Sequence, residues 1–134
     1  MLPNSQTPES SNPQKYSINC NGRLVQFDTP KIMGILNITP DSFSDGGKFN
    51  NEKLALKHAE KLLKEGAEIL DIGPQSTRPN AEFLSSEEEI GRMGNIISQI
   101  KKEFPEALVS LDTFYAETVK FGFNEGIDII NDIS

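Results

Sequence analysis

Between residue 32 and residue 130 the chain repeats one pattern: a short apolar run, then a stretch with helical periodicity. The runs fall at residues 32–38, 67–72, 107–111 and 127–130. Between them, apolar residues recur at spacings of three and four. Ala55, Leu56, Ala59, Leu62 and Leu63 predict a helix over residues 51–65. Ile90, Met93, Ile97 and Ile100 predict a second, beginning near Ser85 and Ser86, where Ser86 and Glu89 fit a capping box. Ala116, Val119 and Phe123 predict a third. Gly66 and Gly126 are natural stops, and Pro105 lies just past the second helix. Residues 65–71 and 125–131 echo each other as helix stop, strand and polar side chain. Strands that alternate with helices, with no hairpin turns between them, specify a parallel sheet.

Each of the four runs leads into a carboxylate or carboxamide: Asn37, Asp71, Asp112 and Asn131. Polar groups that end consecutive parallel strands converge on one side of the sheet. That side is the active-site face of a (β/α)₈ barrel or the ligand crevice of an open α/β sheet. Any one of these residues, Asp71 or Asp112 above all, could instead cap the helix or turn that follows it. Capping is a weak account of all four.

Two loops follow the first two strands. Residues 39–47 hold Asp41, Asp45, Ser42, Ser44 and the aromatic Phe43, and end in Gly46 and Gly47. This mixture reads as a ligand-binding loop that can act as a lid. Its acids lack EF-hand spacing but could help hold a hydrated Mg²⁺ against a phosphate. Residues 73–80 run Gly-Pro-Gln-Ser-Thr-Arg-Pro-Asn and cannot be helix. Arg78 offers forked donors suited to phosphate or carboxylate, or it pairs with Asp41 or Asp45.

Ahead of the repeat, residues 16–20 and 23–27 are two β-prone runs around Asn21 and Gly22, a hairpin signal. Residues 1–14 are nearly all polar or Pro and are expected to be a disordered tail. The domain is expected over residues 15–134. Net charge is −7, which argues against nucleic acid or an anionic membrane as partner. One cysteine, Cys20, cannot form an internal disulfide, so a cytoplasmic setting is expected. No apolar run approaches the roughly 20 residues that span a bilayer. His58 sits mid-helix and reads as structural. The run Glu87, Glu88 and Glu89 suits the positive end of a helix dipole, and Lys101 and Lys102 suit the opposite end. No Ser-His-Asp set, Cys/His metal cluster or P-loop is present.

With these residues in view, the chain resembles the dihydropteroate synthase family of pterin-binding enzymes. Four segments match in order: MGILNITPDSFSDGG at 33–47, DIGPQSTRP at 71–79, SLDT at 110–113 and INDIS at 130–134. The resemblance implies a (β/α)₈ TIM barrel of class α/β. About 250 residues make such a barrel. This chain would supply its first half, with four parallel strands, three helices and a preceding β-hairpin. The implied reaction condenses 6-hydroxymethyl-7,8-dihydropterin diphosphate with p-aminobenzoate to give 7,8-dihydropteroate and pyrophosphate. Asn37 resembles the residue that helps hold Mg²⁺ and the pyrophosphate. Asp112 and Asn131 resemble pterin-ring contacts. Asp45 and Arg78 resemble the loop pair that closes over the pyrophosphate and metal. Phe43 and Pro79 resemble contacts for the p-aminobenzoate ring, with Thr77 another site contact. Sulfonamide-type inhibitors and a homodimer are implied for the whole enzyme.

Pro74 and Gln75 depart from the family's common Gly-Glu. The family's later pterin-binding Asp, its Ser-Arg-Lys segment and its Arg-x-His motif have no counterpart here, so the 134 residues by themselves are expected to be inactive. Two other readings compete. A related pterin-binding methyltransferase barrel needs no loop such as 39–47 or 76–79. A non-catalytic half-barrel would associate through its open face.

Overall fold

The computed structural model describes residues 16–38, 47–75 and 82–132. The expected tail, at residues 1–14, lies outside them.

A two-stranded antiparallel hairpin leads. β1 (Tyr16–Cys20) pairs with β2 (Arg23–Phe27), with Tyr16 opposite Phe27 and Cys20 opposite Arg23. Asn21 and Gly22 both have positive φ, 53° and 83°, the twist a two-residue hairpin turn requires. The Asn19 side chain closes the turn by accepting the Gly22 N–H at 2.9 Å.

Four parallel strands follow: β3 (Met33–Asn37), β4 (Ile69–Gly73), β5 (Leu108–Asp112) and β6 (Ile129–Asn131). They lie side by side in chain order. α1 (Gly47–Lys64) connects β3 to β4, and α4 (Ala116–Glu125) connects β5 to β6. Between β4 and β5 the expected single helix is two, α2 (Ser86–Met93) and α3 (Ile96–Glu103). Gly94, at φ 48°, breaks the helical path between them. Among the described residues there are therefore four helices and not the expected three.

The strand period of two separates the sheet's faces. Leu36, Leu70, Ile72, Val109 and Leu111 point toward the helices and meet Ala55, Ala59, Met93, Ile97 and Ile100, all buried. Each large side chain sealed there contributes about 1.5–3 kcal/mol. Phe123 was expected in this core but is 58% exposed. α4 instead turns Thr118 and Gly122 inward. A Cβ at Gly122 would lie 2.7 Å from Leu111 and from Ile127, so no larger residue suits that contact.

The opposite face carries Ile35, Asn37, Asp71, Gly73, Ser110, Asp112, Ile129 and Asn131. The hairpin covers its lower end, where Cys20, Val25 and Phe27 pack on Ile69, Leu108 and Ile129. Near that end Lys101 pairs with Asp128 at 2.7 Å, and the same carboxylate accepts the Val109 N–H at 2.9 Å. Lys101 therefore ties α3 to the start of β6. No helix among the described residues is long and apolar enough to cross a membrane.

Candidate active site

Asn37, Asp112 and Asn131 stand at the C-terminal ends of β3, β5 and β6, on the face away from the helices. Asp112 and Asn131 are register partners on neighbouring strands. Asn37 is level with Gly73 on β4. The expected convergence of these three at one end and on one face is what the structure has.

Asp71 differs from expectation. It does not end its strand. β4 runs two residues further, to Gly73, and Asp71 is level with Ile35 and Ser110, one layer deeper. It still faces the site. The Asn131 Nδ2 donates to Asp71 Oδ2 at 3.3 Å, across the intervening β5. Asp71 Oδ1 and Ser110 Oγ are buried with no hydrogen-bond partner among the described residues. The Asp112 carboxyl is held above the usual aspartate range. Burial is the main cause, and the charges of Asp71, Glu89 and Asp132 add to it.

At β4 the absence of a side chain matters. A Cβ on Gly73 would lie 3.2 Å from Asn37 Oδ1. Glycine leaves that amide oxygen uncovered, and a neutral oxygen donor suits a hard cation such as Mg²⁺. No group of three or more His, Cys, Asp or Glu among the described residues could hold a metal.

A polar bracket fixes the two loops that leave β4 and β5. Glu89 on α2 is fully buried. Its Oε1 accepts from Gln75 Nε2 at 2.9 Å, and its Oε2 accepts from Thr113 Oγ1 at 2.7 Å. Gln75 in turn accepts the Leu84 N–H at 3.1 Å. The Tyr115 hydroxyl donates to the Leu84 carbonyl at 2.6 Å, and Arg92 donates to the Pro74 carbonyl at 3.1 Å. The expected capping box is absent as such. The N-cap is Ser85, whose side chain accepts the Glu88 N–H, and Glu89 turns inward. The sequence signal for this inward turn is the place of Glu89 four residues before Met93, on the buried stripe. Beside the bracket, Phe83, Phe114 and Tyr115 form an edge-to-face and tilted aromatic row.

Asp45, Phe43, Thr77, Arg78 and Pro79 lie outside the described residues, as does everything else in residues 39–46 and 76–81. A groove of about 560 Å³ lies at the other end of the sheet, lined by Arg23, Lys31, Glu68 and Phe104 among others. Lys31 pairs there with Glu68 at 3.6 Å. In such folds that end serves stability and the opposite one serves chemistry.

The model for the family described as "Pterin binding enzyme" matches residues 33–134. The dihydropteroate synthase of Streptococcus pyogenes serotype M18 is 45% identical over 112 residues, which are 84% of this chain and 42% of that protein. A Xanthomonas albilineans dihydropteroate synthase solved with 4-aminobenzoic acid superposes with a TM-score of 0.78 at 40% identity, over 87% of this chain and 43% of that one. A Clostridium difficile dihydropteroate synthase solved in the presence of pteroic acid gives 0.71 at 43% identity, over 77% and 39%. The chain thus spans about 42% of the curated relative's length. In these neighbours the four strands are part of a TIM barrel.

Proposed function

The chain belongs to the pterin-binding enzyme family, and from that premise we propose that its strand-end face serves the synthesis of dihydropteroate. The observation that carries the proposal is the placing of Asp112 and Asn131 side by side at the ends of adjacent strands, with Asn37 at the same end of the sheet. A pterin ring edge is a dense array of hydrogen-bond donors and acceptors, which a carboxylate and a carboxamide match. The relatives solved with 4-aminobenzoic acid and in the presence of pteroic acid support the same substrates.

In this proposal Asp112 and Asn131 hold the pterin of 6-hydroxymethyl-7,8-dihydropterin diphosphate. The amine of p-aminobenzoate forms a C–N bond to the exocyclic methylene. The C–O bond to the diphosphate breaks, pyrophosphate departs with that electron pair, and the amine loses a proton. Asn37 stands where it can hold Mg²⁺ with the diphosphate, and the ion would supply charge neutralisation for the leaving group. Asp45 and Arg78 are assigned to the same diphosphate. Phe43 and Pro79 are assigned to the p-aminobenzoate ring, and hence to sulfonamides that mimic it, with Thr77 a further site contact. A homodimer and a cytoplasmic location belong to the proposal as well. The buried thiol of Cys20, unpaired among the described residues, supports a reducing compartment.

The test is a chimaera joining residues 31–134 to the remaining strands of the Streptococcus pyogenes relative. It should form dihydropteroate from the two substrates. Asp112→Ala or Asn131→Ala should cut kcat/KM by about 10- to 100-fold, the worth of one charged or buried hydrogen bond. A folded chimaera that binds neither substrate overturns the proposal.

A further inference from the structure

We infer that Asp71 is a positioning residue, which holds the amide nitrogen of Asn131 so that the Asn131 carbonyl oxygen faces the ligand. Beside Asp112 the site then takes a planar ring whose edge carries neighbouring N–H donors. The ligand half of this inference rests on the pterin reading above.

The argument begins with donors and acceptors. An ionised carboxylate only accepts, so only the nitrogen end of the Asn131 amide can face Asp71 Oδ2, 3.3 Å away. The amide group is planar and two-sided, so fixing its nitrogen fixes its oxygen. Asp71 is 5% exposed, and water competes little for that bond. The side chain between them, Ser110 on β5, is the register partner of Asp71 and is small enough to leave the path across the strand open. Without Asp71, the two ends of the Asn131 amide would be free to exchange places.

What the ligand meets follows. Asn131 has Oδ1 and one N–H left to offer. Asp112, its register partner, adds a carboxylate. Two acceptors side by side call for two donors, such as a ring N–H next to an exocyclic amino group. The nearby charges of Asp71 and Glu89, which help raise the Asp112 carboxyl, favour a donor edge over an acceptor edge. A ring with an oxo group in place of the amino group would put acceptor against acceptor, and buried polar groups left unpaired in this way discriminate strongly.

Two measurements on the chain test this, and they fail separately. The first needs no ligand. The side-chain NH₂ of Asn131, observed by ¹⁵N NMR, should show one proton that exchanges slowly, the one donated to Asp71. In Asp71→Asn, an isosteric change, this proton should become fast-exchanging, and the double variant Asp71→Asn with Asn131→Asp should restore native stability lost in Asn131→Asp. Asn131 resonances unmoved by Asp71→Asn overturn the inference, as does a double variant no better than Asn131→Asp. The second compares binding of 6-hydroxymethylpterin with that of its 2-oxo analogue. The chain should prefer the amino compound by about tenfold or more, equivalent to one hydrogen bond, and Asp71→Asn should reduce that preference to under about threefold. An unchanged preference overturns the role of Asp71 in selectivity. If neither compound binds while the Asn131 signature is intact, the pterin reading falls and the orientation of Asn131 by Asp71 stands.

Discussion

Gln75 donates to Glu89 at 2.9 Å, and so a residue on the loop leaving β4 is clamped by a fully buried carboxylate on α2. Glu89 has no donor of its own, and an amide at residue 75 can donate to it where a carboxylate cannot.

Gln75→Glu should therefore place two carboxylates against each other and cost about 3 kcal/mol, the range for a buried charge deprived of its partner. Adding Glu89→Gln should recover most of that loss, because the donor is then on the other side of the pair. Urea unfolding midpoints of the two single variants and the double variant measure the coupling. A double variant as unstable as the sum of the singles would refute it.

Asp112→Asn should raise stability at neutral pH. The folded state holds the Asp112 carboxyl above its ordinary range, so the favourable term is complete only below the unfolded-state value, near 4, and is lost as pH rises through the folded value. At pH 7 the ionised group carries its whole penalty, which the asparagine variant escapes. The gain in Tm should shrink as pH falls toward 4. An advantage that grows on acidification contradicts the assignment. Pterin affinity should move the opposite way, falling about tenfold or more.

Gly122→Ala pits two effects against each other. Alanine in place of glycine favours the helix by about 1 kcal/mol. The new methyl group would lie 2.7 Å from the side-chain ends of Leu111 and Ile127, both fully buried. Overpacking of this kind costs about 1–3 kcal/mol. The net expectation is a loss of about 1 kcal/mol, read as a lower thermal midpoint. A stabilised variant would mean that the layer between α4 and the sheet has room to give.

Lys101→Met should be more costly. The Asp128 side chain is 6% exposed and would keep only the Val109 N–H. Removing one partner of so buried a pair costs about 3 kcal/mol. Asp128→Asn keeps an acceptor for Val109 and should cost less, about 1–2 kcal/mol. If the order of the two is reversed in denaturant titrations, the ion pair is not what joins α3 to β6.

Much of this fold could be read from spacing alone, because period two and period three-to-four alternate cleanly along the chain. The hairpin turn at Asn21 and Gly22 and the sheet's strand order follow from local chemistry. The convergence of Asn37, Asp112 and Asn131 follows from strand polarity. Four things did not. The break at Gly94 hid inside an unbroken apolar stripe, since a single glycine is tolerated in many helices. Phe123 lost its place in the core to Gly122, because steric fit against Leu111 and Ile127 outweighed hydrophobicity. Glu89 reads as a capping-box and first-turn acid, since its two partners, Gln75 and Thr113, come from other parts of the chain. The depth of Asp71 likewise depends on register, which periodicity places only to within a residue or two.

The hairpin packed under Ile69, Leu108 and Ile129 closes the lower end of the polar face among the described residues. Whatever lies against Asp112 and Asn131 therefore rests above an apolar floor, and its polar groups are matched at the strand tips.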